Sequence, residues 1–176
     1  MNILYLHGYG SKFDINSSKN KELAKIGTVH GVDIDYSLPY EYNERNITAK
    51  LVHTDIDLII GTSMGGYYAN RIGTSVGIPF VMINPVVDPR SVLEKYDQHK
   101  SVIDSYKYKA LIYECGMLLL DSGDDVIPIK PTIKYFEDFF ETHTFSGGSH
   151  RFEHMKESLP LIVDFYQINS ITFGTQ

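Results

Sequence analysis

The 176-residue chain predicts an α/β fold: an open, mostly parallel sheet with helices on both faces. Three observations carry this reading. Short apolar segments alternate with longer polar segments of helix length. Several apolar segments, such as Leu58-Ile59-Ile60 and Met117-Leu118-Leu119-Leu120, are continuous, as strands buried on both faces are. Turn-forming residues stand at the joints, in Ser37-Leu38-Pro39, Gly77-Ile78-Pro79 and Asn84-Pro85.

The elements follow in order. A strand over Ile3–Leu6 precedes a helix over Ser17–Ile26, a strand over Thr28–Tyr36 and a helix over Tyr40–His53. The strand Asp57–Ile60 runs through a glycine-flanked turn into a helix over Gly65–Val76. Next come a strand at Phe80–Ile83 and a helix at Arg90–Tyr96. Met117–Leu120 and His143–Phe145 read as the last strands, with helices over Lys130–Glu141 and Phe152–Gln167. Residues 88–114 read as a crossover carrying a helical flap, with a small lid as the alternative; they follow a strand C-terminus, where such sheets bind ligands. Ser170–Gln176 reads as a frayed tail, and the length predicts one domain over residues 1–176.

Composition narrows the function. Hydrophobic content of 43% and charged content of 22% are those of a globular protein. The net charge is −6 with no block of Lys or Arg, which argues against nucleic acid and anionic membrane surfaces as partners. The single cysteine, Cys115, leaves no partner for an internal disulfide, fits a reducing compartment and reads as core. The first residues lack the basic and apolar regions of a signal peptide, and no apolar run is long enough for a membrane span. A cytoplasmic location is the expectation. The 13 tyrosines point to no function at this level.

The chemistry starts from Gly61-Thr62-Ser63-Met64-Gly65, between a strand and a helix start. G-x-S-x-G in that context is a nucleophile elbow. The turn sets the Ser63 hydroxyl at a helix N-terminus, where N–H groups favour developing negative charge. A serine needs a histidine base, and the base needs an acid that fixes its tautomer. The acid candidate is Asp124, after the strand Met117–Leu120 and before Val126-Ile127-Pro128; Asp125 and Asp121 compete with it. The base candidate is His150, after the glycine pair Gly147-Gly148 and just before the last helix. Ser63, Asp124 and His150 fall in the chain order of the α/β hydrolases. The oxyanion donors are expected to be the backbone N–H groups of Met64 and of Tyr9, in the loop after the first strand. His7, Gly8 and Asn84 are the further candidates near the pocket, with His7 bonding within its loop.

Rival patterns fail. Gly8-Tyr9-Gly10-Ser11-Lys12 has Ser before Lys, the reverse of a phosphate loop, and Phe13 breaks the dinucleotide pattern. His150 and His154 could share a helix face, but no third metal ligand has a helpful spacing. No metal or organic cofactor is expected.

The chain resembles the α/β-hydrolase superfamily and, more closely, the small bacterial esterases of the YqiA type. The resemblance runs over nearly the whole chain, through Tyr5-Leu6-His7-Gly8-Tyr9-Gly10-Ser11, the serine block extended by Gly66, and Ile83-Asn84-Pro85-Val86-Val87-Asp88-Pro89. It continues through Asp121-Ser122-Gly123-Asp124-Asp125-Val126 and Ser146-Gly147-Gly148-Ser149-His150-Arg151-Phe152. It implies a compact hydrolase with little or no cap, acting on carboxylic esters and acyl-CoA thioesters through Ser63, Asp124 and His150. Residues 97–115 depart from the pattern. A binding protein that keeps the fold without catalysis, and an acyltransferase or peptidase with the same triad, are the alternatives. The partner expected is a small-molecule acyl ester or thioester.

Overall fold

The computed structural model describes residues 1–112 and 116–173. Its strands are β1 (Asn2–Leu6), β2 (Thr28–Gly31), β3 (Leu58–Thr62), β4 (Phe80–Ile83), β5 (Gly116–Asp121) and β6 (Glu141–Phe145). Its helices are α1 (Ser18–Leu23), α2 (Tyr40–His53), α3 (Met64–Val76), α4 (Pro89–Lys95), α5 (Lys100–Ser105), α6 (Ile129–Phe136) and α7 (Met155–Phe173). The strands form one sheet in the order β2-β1-β3-β4-β5-β6. Every neighbouring pair is parallel.

Strand periodicity sorts the core into two layers. Leu4, Leu6, Ile59, Met82, Leu118 and Leu120 point to one face, where Ile47 of α2, Ile72 of α3 and Phe136 of α6 cover them. Ile3, Tyr5, Leu58, Ile60, Val81, Ile83, Met117 and Leu119 point to the other, under Leu23 of α1 and Met155, Ile162 and Phe165 of α7. Both faces of the sheet are buried under helices, so continuous apolar strands are required. The handedness of the crossovers accounts for the split. The chain steps one way from β1 to β2, then reverses past β1 to β3 and keeps that direction to β6. Right-handed crossovers therefore put α1 on one face and the later crossover helices on the other. The reversal makes the C-terminal ends of β1 and β3 the switch point, where such sheets open a crevice for ligands.

The larger departures from the expected boundaries fall in β2, α6 and α7. The strand expected over Thr28–Tyr36 ends at Gly31, because the next backbone groups bond to side chains. Asp35 N–H goes to Asn43 Oδ1, and Ile34 N–H goes to His7 Nε2. The helix expected to Glu141 stops at Phe136, and Glu141–Phe145 instead pairs with β5. Phe152 has a left-handed φ of 58°, so α7 starts at Met155 rather than Phe152. That helix continues to Phe173, taking in part of the stretch read as a frayed tail; residues 174–176 and Cys115 lie outside the described residues.

Residues 88–112 belong to the crossover from β4 to β5 and carry α4 and α5. The short α5 escaped the sequence reading because it buries only Val102. Tyrosines tie this crossover down. Tyr106 is fully buried, its hydroxyl 2.8 Å from that of Tyr68, and Tyr40 stacks on Tyr68. The Asn70 side chain bonds both backbone groups of Leu111, and Tyr40 N–H bonds Ser105 Oγ. Among the described residues no helix is long and apolar enough to cross a membrane.

Candidate active site

The turn from β3 into α3 passes directly from strand to helix through Ser63. Ser63 sits at its apex with φ 57° and ψ −121°, a conformation L-residues rarely hold. The surroundings enforce it: Ser63 N–H bonds Ile83 C=O at 2.9 Å, and its own C=O accepts from Gly66 N–H at 2.9 Å. A side chain at Gly65 would overlap the carbonyl oxygens of Leu6 and His7. A side chain at Gly8 would press to 3.1 Å from Ser63 Cβ. The end of β1 and the serine turn therefore share space that only hydrogen atoms fill.

The three residues expected as nucleophile, base and acid come together. His150 Nε2 lies 3.0 Å from Ser63 Oγ, and His150 Nδ1 lies 2.9 Å from Asp124 Oδ2. A carboxylate facing Nδ1 assigns the proton to that nitrogen, leaving Nε2 to accept from the serine hydroxyl. Asp124 Oδ1 also accepts the Val126 and Ile127 N–H groups, each at 2.8 Å. Burial pushes the Asp124 carboxyl up, but the His150 bond and the Ile127 and Val126 amides outweigh it, so it lies below the usual carboxylate value. Asp125, the nearest competitor, is exposed.

The other competing acid has a different task. Asp121 is fully buried beneath the loop that carries His150. Its Oδ2 accepts from Ser149 N–H at 3.2 Å and Glu153 N–H at 2.8 Å, and its Oδ1 meets His154 Nδ1 at 2.7 Å. Asn84 grips the same loop. With φ 43°, its Nδ2 donates to Ser149 C=O at 3.0 Å and His150 C=O at 3.3 Å, and its Oδ1 accepts from Asp121 N–H. Asn84 is buried, and the side chain expected near the pocket holds the His150 loop by its backbone. His154, considered beside His150 as a metal ligand, bonds Asp121 and stacks on Phe145 at 5.1 Å. Among the described residues no three His, Cys, Asp or Glu side chains are placed to hold a metal ion. The signal for the Asn84–Asp121 clamp was positional: Asn84 follows β4 directly, and Asp121 ends β5.

A cavity of 380 Å³ opens over Ser63 and His150, lined also by His7, Gly8 and Tyr9. The Tyr9 ring stacks on Tyr96 at 4.5 Å, and its hydroxyl accepts from Gln98 Nε2 at 2.8 Å, so the segment between α4 and α5 reaches the site. Among the described residues the backbone N–H groups of Tyr9 and Met64 have no hydrogen-bond partner. Both belong to residues that flank Ser63, one across the glycine contact and one next in the chain.

His7 locks the first loop from below, and not only within the loop. Nδ1 donates to Gly8 C=O at 2.9 Å, and Nε2 accepts Ile34 N–H at 2.9 Å. Both bonds together require the neutral ring. Burial lowers its pKa below the ordinary 6.5, against the Gly8 carbonyl and the charge of Asp33, which raise it. A folded value below the unfolded one means full stability above pH 6.5, with loss as pH falls through the folded value. The expected outcome is that Tm falls below pH 6.5 more steeply in the wild type than in His7→Gln, which keeps an acceptor for Ile34. Equal slopes in a thermal denaturation series would contradict this.

The sheet agrees with comparisons to known proteins. Est1E from Butyrivibrio proteoclasticus superposes with a TM-score of 0.75 at 12% identity, covering 97% of this chain and 88% of that one. Mouse alpha/beta hydrolase domain-containing protein 10 superposes at 0.66 with 14% identity, covering 99% and 90%. A UPF0227 protein of Vibrio cholerae is 28% identical over 88% of this chain and 97% of its own length. One from Shewanella woodyi is 27% identical over 93% and 98%. The fold is that of an α/β hydrolase, and with residues 2–167 matching it, the chain belongs to the uncharacterised protein family UPF0227.

Proposed function

We propose that this protein is a serine hydrolase of carboxylic esters or thioesters, with Ser63, His150 and Asp124 as its catalytic triad. One observation carries the reading: the unbroken relay from Ser63 Oγ through both ring nitrogens of His150 to the Asp124 carboxylate. A fold used only for binding has no need of that order or of a strained serine at its centre.

In this reading Ser63 Oγ attacks the carbonyl carbon while His150 Nε2 takes its proton. Asp124, kept ionised, holds the ring's tautomer and balances the imidazolium. The carbonyl oxygen becomes negative in the tetrahedral intermediate. The free N–H groups of Tyr9 and Met64 and the N-terminus of α3 are the donors proposed for it. His150 then returns the proton to the leaving alkoxide or thiolate, and the acyl group stays on Ser63. Water attacks the acyl-enzyme with His150 as its base, releasing the acid and restoring the serine. The His150 side chain is 21% exposed, which gives that water a path.

Two substitutions test the assignment. Ser63→Ala is expected to lower kcat on p-nitrophenyl butyrate about 10⁴-fold, read by nitrophenolate release; wild-type turnover would refute the mechanism. Asn84→Ala loosens the His150 loop without touching substrate, so kcat should fall roughly 10- to 100-fold with KM little changed. A change confined to KM would remove Asn84 from that positioning task.

A further inference from the structure

We propose that the substrate of the Ser63 site carries an anionic group, a carboxylate or a phosphate, seated beside the serine by Lys12, Lys19 and Arg151. This rests on the reading of Ser63 as the nucleophile. The three cations line the same cavity as Ser63 and His150, and no Asp or Glu lines it. That wall belongs to a protein of net charge −6.

The cations are also unspent. Three basic side chains away from the cavity are held by carboxylates: Lys25 pairs with Glu22, Arg90 with Asp88 and Lys100 with Asp104. Among the described residues Lys12, Lys19 and Arg151 make no ion pair and no side-chain hydrogen bond. Asp121 attracts Lys19, but its oxygens already serve Ser149, Glu153 and His154. Glu22 and Glu153 line a separate hollow that Lys19 and Arg151 also border; Glu22 is held by Lys25.

Burial, and then the charge of Arg151, lower the pKa of Lys19 below the usual lysine value. Lys19 is half-buried beside the exposed, like-charged Arg151, and a bound anion relieves the repulsion between them. The placement fits the reaction. Arg151 follows His150 in the chain, Lys12 shares the loop of Gly8 and Tyr9, and Lys19 lies on α1. The anion therefore sits on the α1 side of Ser63. The cavity's 380 Å³ suits a short chain.

The test reads binding rather than turnover. Monomethyl glutarate, uncharged dimethyl glutarate and inorganic phosphate are titrated calorimetrically into the Ser63→Ala protein. The same titrations are made with Lys19→Gln or Arg151→Gln added, after circular dichroism has verified their fold. The expected result is affinity for the monoester at least about tenfold above the diester, lost in both variants and weakened by salt. Phosphate binding tighter than the monoester assigns the anion as phosphate, and weaker binding assigns it as carboxylate. Equal affinity for the two esters, no binding of any probe, or a charge preference that survives both substitutions would overturn the proposal. Charge-dependent binding with a wild type that hydrolyses no ester sinks the hydrolase reading and leaves the anion site standing. Hydrolysis of p-nitrophenyl butyrate without charge-dependent binding does the reverse.

Discussion

The close approach of the end of β1 to the turn after β3 organises everything near Ser63. No side chain fits at Gly65 against the Leu6 and His7 carbonyls, and little fits at Gly8 against Ser63. With that space closed, Ser63 is held in its left-handed conformation and the Gly8-Tyr9 loop lies across it. His7 anchors the loop from beneath by accepting Ile34 N–H, and the same bond draws the chain out of the sheet after β2. The reversal in sheet winding is what puts the ends of β1 and β3 side by side.

Two carboxylates near the last loops divide their work by environment. Asp124 faces the ring of His150, while Asp121 lies under the backbone on either side of it. Asn84 joins them to β4, accepting the Asp121 amide and donating to the carbonyls of Ser149 and His150. A histidine on a glycine-rich loop would otherwise carry the entropy of a free segment. Here three side chains remove it before any ligand arrives, which is the preorganisation that positioned proton transfer needs.

Much of this was legible in the sequence because the determinants are local. The continuous apolar strands and the G-x-S-x-G turn are readable from spacing alone, and spacing also singles out His150 and, with Asp121 and Asp125 as rivals, Asp124. What escaped depends on long-range contacts. Nothing near Val32–Asp35 shows that its amides bond to His7 and Asn43. Its place at the end of β5 marks Asp121, but that alone does not tell a buried clamp from a solvated turn residue, and its partners lie about thirty residues away. The tyrosines, silent as composition, make sense as a buried cluster that fastens the β4–β5 crossover to α2 and α3.

The central claim is that Ser63 is an activated nucleophile because His150 withdraws its proton. Labelling the folded protein with a fluorophosphonate and locating the adduct by peptide mass spectrometry tests this directly, since the probe reacts with an activated serine whatever the natural substrate. The account predicts a single adduct at Ser63 that disappears in His150→Ala. No adduct, or one that forms equally without His150, would contradict it.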